Sequence, residues 1–336
     1  MLDAMNGAFK ETLQKGLDQH EELNKAVDAI CEKGIENVFL VGCGGSLAVM
    51  YPCQHILDTR STIPAYAYNS SEFLNMGHKK FNEKSLVIVS SYTGSTKETV
   101  AVANMAKEAG APVISFMGKL GTPLANAADF AFANDALVGV TDSKLIMLYQ
   151  VVFRVMKNLG QCDDYDQIIE AMKTLPDNMV AVREKFEPIA EKFAIDNKDT
   201  DYYMVMSAGL TWFTAYSHAM CILEEMQWIK ARSIHAGEFF HGAFEIVTDK
   251  THVNLYRGED ESRPLGDRAE EFLAKYNSNT FIIDTKDYEL PGVAQELRGL
   301  MSPFVIMACQ ERMNKHLEDK RNHSLKIRRY MGVVPY

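Results

Sequence analysis

Six of the seven residues from Ser90 to Thr96 carry a hydroxyl: Ser90, Ser91, Tyr92, Thr93, Ser95 and Thr96, with Gly94 among them. They follow the wholly apolar run Leu86-Val-Ile-Val89, which reads as a buried strand of a parallel sheet. They precede a helical pattern from Lys97 to Ala109 that Gly110 closes as a C-cap. Strand, hydroxyl turn and helix start together aim free backbone N–H groups and the positive end of a helix dipole at one spot. The side-chain hydroxyls add neutral donors around it. That chemistry suits the phosphate of a small polyhydroxylated monoester. An ordinary Ser/Thr-capped βα turn is the competing reading, but so many hydroxyls exceed what a cap requires. Neither a Walker A loop nor a dinucleotide-binding fingerprint is present in the turn.

A second turn has related chemistry. The apolar strand Asn37–Val41 runs into Gly42-Cys43-Gly44-Gly45-Ser46, where glycines let a backbone approach a ligand closely. A tight βα turn again competes. Ligands of open α/β sheets sit beyond the carboxyl ends of the strands. Gly44, Gly45 and Ser46 could therefore meet the Ser91–Thr96 turn at one site.

The second half of the chain offers groups for acid–base work. Glu224 and Glu225 lie beside Ile222, Leu223, Met226 and Trp228 in a helical pattern from Thr214 to Ile229. Successive helical residues diverge by about 100°, so one carboxylate faces solvent while the other faces the apolar side. A carboxylate in apolar surroundings binds its proton more tightly, which suits a general base. Two solvated glutamates are the plainer alternative. His235, Glu238 and His241 follow, and their spacing invites a metal. We expect none: the pattern is not H-E-x-x-H, Gly237 and Gly242 interrupt any helix, and the three positions do not share one helical face. A histidine at a glycine-flanked bend is better suited to reach into a cleft.

These residues together resemble a known family. Ser91-Tyr-Thr-Gly-Ser-Thr96 is similar to the S-x-S-G-x-T phosphate loop of sugar isomerase (SIS) domains, with Thr93 for the usual Ser and Tyr92 where a polar residue is common. Gly42–Ser46 resembles their first sugar-contacting loop, and Val138–Lys144 their substrate-lining segment. That segment implies backbone or hydroxyl contacts from Val140, Thr141 and Ser143, and leaves Lys144 either a phosphate or carboxylate partner or a solvated lysine. Glu225-Met-Gln-Trp228 and Gly237-Glu-Phe-Phe-His-Gly-Ala-Phe-Glu245 resemble the isomerase half of glucosamine-6-phosphate synthase, and still more its relatives the 6-phosphofructosyl-amino-acid deglycases. Ala243 stands where the family has Pro. The tail, Arg328-Arg-Tyr-Met331 and Val334-Pro-Tyr336, also resembles the deglycases.

The resemblance runs from about residue 20 to 336 and implies an α/β chain of two SIS domains, each a parallel sheet flanked by helices in a flavodoxin-like three-layer sandwich. It implies that Glu225 is the base and that His241 opens the sugar ring and acts as acid. The implied activity is cleavage of a 6-phosphofructosyl amino acid to glucose 6-phosphate and an amino acid, with no metal or organic cofactor. An aldose/ketose phosphosugar isomerase, an amino-sugar-phosphate deaminase, or a sugar-phosphate sensor without catalysis are the alternatives. No counterpart of the synthase's glutaminase half is expected, since that half needs a cysteine nucleophile at the chain start and the first cysteine here is Cys31. The resemblance further implies a homodimer or higher homo-oligomer with a shared active site.

The elements that must position these groups can be read along the chain. Residues 1–33 form a helical segment, 34–165 the first SIS domain, 166–197 a helical linker, 198–320 the second SIS domain and 321–336 a tail. Further strands are expected at Pro64–Tyr68, Pro112–Met117, Asp201–Ser207, Val253–Tyr256 and Thr280–Asp284, with helices at Leu47–Thr59, Leu145–Leu159, Asp267–Tyr276 and Pro303–Leu317. The helices of Ile168–Phe193 are expected to break at Pro176 and Pro188. The tail is basic, with His323, Lys326, Arg328 and Arg329, and could fold over an anionic site. In the synthase a lysine near the tail is a Schiff-base residue; Lys326 is only roughly placed for that role, and the deglycase mechanism does not need it.

Composition narrows the classes. The 336 residues are 47% hydrophobic and 24% charged, as in an ordinary globular protein. A net charge of −10 disfavours nucleic acid or an anionic membrane as partner. The six cysteines form no C-x-x-C pair and read as reduced thiols. No apolar run approaches the ~20 residues of a membrane span, and no signal peptide is evident, so a cytoplasmic location is expected.

Overall fold

The computed structural model describes residues 2–136 and 138–335, apart from the side chains of Asp3 and Ala4. Met1 of the predicted N-terminal helical segment and Tyr336 of the tail motif lie outside the described residues. The chain divides into two compact units, Met1–Pro176 and Asp177–Tyr336.

The first unit opens with helices α1 (Leu2–Asp18) and α2 (His20–Cys31) and then alternates strand and helix. In order these are β1 (Asn37–Gly42), α3 (Gly45–Ala48), α4 (Tyr51–Arg60), β2 (Ala65–Asn69), α5 (Ser70–Met76), β3 (Ser85–Ser90), α6 (Lys97–Glu108), β4 (Val113–Met117), α7 (Pro123–Ala127), β5 (Phe130–Ala133), α8 (Val140–Asn158) and α9 (Tyr165–Lys173). The strands form one parallel sheet in the order β2-β1-β3-β4-β5, the flavodoxin-like order. Every residue of β1, β3 and β4 is buried, as expected where helices cover both faces. On one face Phe39, Phe73, Val87, Val89, Val102 and Leu124 pack into a core cluster. Burying each such side chain stabilises the fold by roughly 1.5–3 kcal/mol. Helix α8 is buried along nearly its whole length, consistent with the largely apolar stretch from Leu145 to Met156.

The second unit repeats the topology with fewer strands. Helix α10 (Leu175–Asn197) leads to β6 (Tyr202–Ser207), α11 (Trp212–Ser217), β7 (Lys230–His235), β8 (Val253–Arg257), α12 (Arg263–Tyr276), β9 (Thr280–Asp284) and α13 (Arg298–Lys320). The parallel sheet runs β7-β6-β8-β9. The first strand of each unit thus lies between its second and third.

Three local expectations are corrected. Pro188 lies inside α10 and does not end it; burial of Val182, Phe186, Ala190 and Phe193 along one side offsets the lost hydrogen bond. The helix expected at Leu47–Thr59 is two pieces, with Pro52 in the first turn of α4, where a missing N–H costs little. The helix expected from Thr214 to Ile229 is interrupted. After α11 the backbone widens into a π-helical turn, His218–Glu224, and Trp228 adopts a left-handed φ of 56°. Among the described residues, no helix is long and apolar enough to cross a membrane.

Candidate functional site

In the first unit, Gly42 pairs with Ser90, so the turns after β1 and β3 leave the sheet side by side at its carboxyl edge. Gly44 begins the first turn with φ 54°, a region that suits glycine, and a Cβ there would meet nothing within 4 Å. The second turn is tightly folded. Gly94 has φ 65°, and a Cβ on it would lie 2.2 Å from Thr122 Oγ1, so only glycine fits.

The hydroxyls of this turn bond chiefly to each other. Ser91 Oγ lies 2.8 Å from Thr96 Oγ1 and 3.3 Å from Thr93 Oγ1. Ser95 Oγ donates to Thr93 Oγ1 at 2.9 Å. Thr96 occupies the N-cap position of α6, yet its side chain makes no cap bond. The first N–H groups of a helix have no partner within it, and here the natural cap is turned toward Ser91. Thr93 and Ser95 are exposed, Ser91 is buried and Thr96 half-buried. The arrangement is a ring of neutral donors at a helix start, able to accept an anion without a fixed cation.

The other predicted residues of this unit are placed less uniformly. Tyr92 has an exposed ring, but its hydroxyl donates to Ala136 O at 3.2 Å, so it straps the turn down. Val140, the first residue of α8, has its carbonyl bonded by Asn134 Nδ2 at 2.9 Å. Ser143 is fully buried, with its hydroxyl near Gly16 of α1, where an added Cβ would sit 2.8 Å away. A hydroxyl with no exposed surface does not reach a ligand in this conformation, so Ser143 supports the fold. Its neighbour is the informative residue. The ammonium of Lys144 is buried and donates to Ser46 Oγ at 3.3 Å, joining α8 to the turn after β1. Burial pushes the Lys144 pKa down to about 8.

In the second unit, Glu224 is exposed and Glu225 half-buried, so the two carboxylates do diverge. The neighbour of Glu225 differs from the apolar wall expected. Arg328 Nη2 lies 2.8 Å from Glu225 Oε1. The turn that carries Glu225 is held by widened backbone bonds: Glu225 N–H donates to Met220 O at 3.1 Å and Gln227 N–H to Ile222 O at 2.9 Å. π-helical turns recur at functional sites. His218, on this turn, is buried between Tyr256 Oη at 2.6 Å and Asn314 Oδ1 at 2.9 Å. Burial pushes its pKa down to about 4. It is a neutral internal brace that sequence reading passed over, since one histidine in an apolar stretch gives no spacing signal.

His241 ends the 3₁₀ turn Ala236–His241. Its neighbours place it: Phe239 is fully buried, and Phe239, Phe240, Phe244 and Phe272 form an aromatic cluster. With the phenylalanines directed inward, the imidazole of His241 is left exposed. Gly242, at φ 136°, supplies the bend. His235 Nδ1 accepts from Gly237 N–H at 3.2 Å and so caps this turn.

The second unit has no open hydroxyl turn at the place corresponding to the first unit's. There the turn after β6 faces the loop after β8, and Asp260 fills the position. Its carboxylate accepts from Leu210 N–H at 2.6 Å and Ser262 N–H at 3.0 Å. Gly209 admits this closeness, since a Cβ there would lie 2.6 Å from Asp260 Oδ2. An internal anion occupies these donors.

Two flavodoxin-like parallel sheets, with hydroxyl turns at the carboxyl edge of the first, define a sugar-isomerase type of α/β protein. Comparison with known proteins is specific. The SIS domain family model matches residues 33–151. The fructosamine deglycase FrlB of Bacillus subtilis is 35% identical over 328 residues, 94% of this chain and 98% of that protein. The fructoselysine 6-phosphate deglycase of Escherichia coli is 24% identical over 311 residues, 92% of this chain and 90% of that protein. A solved candidate phosphosugar isomerase from Bacillus subtilis superposes with a TM-score of 0.88 at 34% identity, covering 95% of this chain and 99% of its own. The chain belongs to the SIS-domain family and is an enzyme of its deglycase type.

Proposed function

We propose that this enzyme hydrolyses a 6-phosphofructosyl amino acid, the Amadori product of glucose 6-phosphate and an amino acid, to those two components. The observation that carries this reading is the hydroxyl ring of Ser91, Thr93, Ser95 and Thr96 at the start of α6. It offers a phosphate neutral donors and a helix dipole. Gly44, Gly45 and Ser46 line the sugar, with Lys144 behind Ser46. The near full-length kinship to fructosamine and fructoselysine 6-phosphate deglycases supports the choice of substrate class.

The chemistry falls to the second unit. His241 assists ring opening and gives a proton to the C2 oxygen while Glu225 removes one from C1, forming a 1,2-enaminol. Return of a proton to C2 yields an imine at C1. Water adds to C1, the C1–N bond breaks, and the amine leaves with a proton. The steps are proton transfers, water addition and C–N cleavage at a carbonyl or imine carbon, all open to acid–base catalysis by a carboxylate and an imidazole, so no cofactor enters the scheme. The exposure of His241 supports its delivery to a second copy of the chain, in a homodimer or larger assembly with shared sites. Six free thiols agree with a cytoplasmic setting.

The test is a panel of 6-phosphofructosyl amino acids assayed with the whole protein for glucose 6-phosphate and free amino acid. Equal release of both is expected. Ammonia release from an amino-sugar phosphate, or ketose–aldose interconversion alone, would reassign the enzyme to a deaminase or isomerase. Binding of glucose 6-phosphate with no turnover of any panel member would make it a sensor.

A further inference from the structure

The C-terminal segment lies against the turn that carries Glu225. Gln227 Nε2 donates to His323 O at 2.8 Å. The Trp228 ring meets His323 at 4.6 Å, and the Arg329 guanidinium stacks over Trp228 at 4.2 Å. These contacts hold main chain and rings. The contact between Arg328 and Glu225 is different, because it engages the carboxylate that the mechanism uses as base. The Arg328 guanidinium is held in place by its own turn: Nη1 donates to Leu325 O at 2.8 Å and Ile327 O at 3.0 Å. Both members of the pair keep surface, at 21% and 23% side-chain exposure, so a small anion can reach them.

A carboxylate oxygen that receives a guanidinium N–H has that lone pair engaged and is a hindered acceptor for a carbon-bound proton. Opening or exchanging the pair frees Oε1 to take the proton from C1. The substrate class proposed above carries the group that can do this. Besides its phosphate it has an α-carboxylate, joined to C1 through one nitrogen and one carbon. With C1 at Glu225, that carboxylate lies roughly 3–4 Å further on. It has the planar shape and charge of the group Arg328 already holds, and guanidinium favours such forked pairing.

We infer that Arg328 is the receptor for the substrate's α-carboxylate, and that its transfer from Glu225 to the substrate releases the base. This rests on the deglycase reading. It makes Arg328 a specificity-determining residue: every α-amino acid conjugate presents the trigger whatever its side chain, and a conjugate of a simple alkylamine does not.

The experiment compares a 6-phosphofructosyl amino acid with a 6-phosphofructosyl alkylamine of matched length, in the wild-type protein, Arg328→Gln and Arg328→Lys, with thermal melting as the check on folding. Wild type is expected to favour the amino acid conjugate about a hundredfold in kcat/KM. Arg328→Gln loses about a hundredfold on that substrate yet gains about two- to fivefold on the alkylamine, because its base is already released. Arg328→Lys falls between, keeping the charge without the fork. Equal losses on both substrates in Arg328→Gln, or no preference in wild type, overturns the assignment while leaving the deglycase reading standing. Wild-type turnover of neither conjugate overturns both.

Discussion

The ammonium of Lys144 sits 3.3 Å from Ser46 Oγ, at the buried start of α8, beneath the turn that follows β1. This contact makes a cation, shielded from water, part of the wall behind a proposed anion site. Burial lowers its pKa from 10.5 to about 8. Between about pH 8 and 10.5 the unfolded chain still holds a proton that the folded chain has lost, so stability rises with pH across that window. Below it the full cost, about 3 kcal/mol, is present. Lys144→Met should therefore raise stability at pH 7 by about 2–3 kcal/mol, flatten the rise between pH 8 and 10, and weaken phosphosugar binding. Urea unfolding at several pH values, with calorimetric titration of glucose 6-phosphate, measures all three.

His218 gives the opposite end of the pH range. Its folded pKa of about 4 lies below the 6.5 of the unfolded state. As pH falls from about 6.5 toward 4, the unfolded chain takes up a proton that the folded chain refuses, and stability is lost, by about 3 kcal/mol in all. His218→Gln keeps polar groups for Tyr256 and Asn314 without titrating. It should show a shallower loss between pH 6.5 and 4 in denaturant melts. An identical slope in both proteins would place the acid sensitivity elsewhere.

Removing the hydroxyls tests the phosphate turn. Ser91→Ala with Thr93→Ala should raise KM by about tenfold or more, since hydrogen bonds to charged groups contribute about 1.5–3 kcal/mol each, with kcat much less changed. An unaltered KM would mean that the phosphate binds elsewhere.

Glu225→Gln and His241→Ala should each lower kcat by about 10²–10⁴ while the protein melts normally and still binds glucose 6-phosphate. If His241 serves a partner subunit, mixing the two inactive variants restores part of the activity through hybrid assemblies. Near-normal turnover in either variant would remove that residue from the mechanism.

Gly94→Ala meets both a positive φ and the Thr122 side chain. It should destabilise the fold by about 1–3 kcal/mol and raise KM as the turn shifts. Thr122→Ala removes the Oγ1 and Cγ2 contacts but keeps the residue 122 Cβ, 2.5 Å from the added Cβ, and leaves the backbone strain, so the double variant should recover stability only in part.

Much of the fold could be read from local pattern. The runs Asn37–Val41, Leu86–Val89 and Pro112–Met117 are short, mostly apolar and without alternation, and they lie between turn residues, which suits a strand covered on both faces. The hydroxyl turn stood out because its composition exceeds capping. The interruption of the helix expected from Thr214 to Ile229 is not legible, because a π-helical turn and a left-handed Trp228 leave no trace in apolar periodicity. The burial of Ser143 and Lys144 is equally invisible in local pattern: which face of α8 is covered depends on α1 and on the turn after β1, far away in the chain.

What the residues alone determined is the chemistry available: neutral hydroxyls for an anion, a carboxylate and an imidazole for protons, and two repeats of one βα rhythm. These follow from residue type and short-range spacing. Tertiary packing decided which groups became partners. It spent the Tyr92 hydroxyl on a backbone strap, filled the second unit's donors with Asp260, buried Lys144 under Ser46, and set Arg328 on Glu225. Each of those outcomes depends on a long-range approach between side chains, and no local pattern encodes where a distant charge comes to rest.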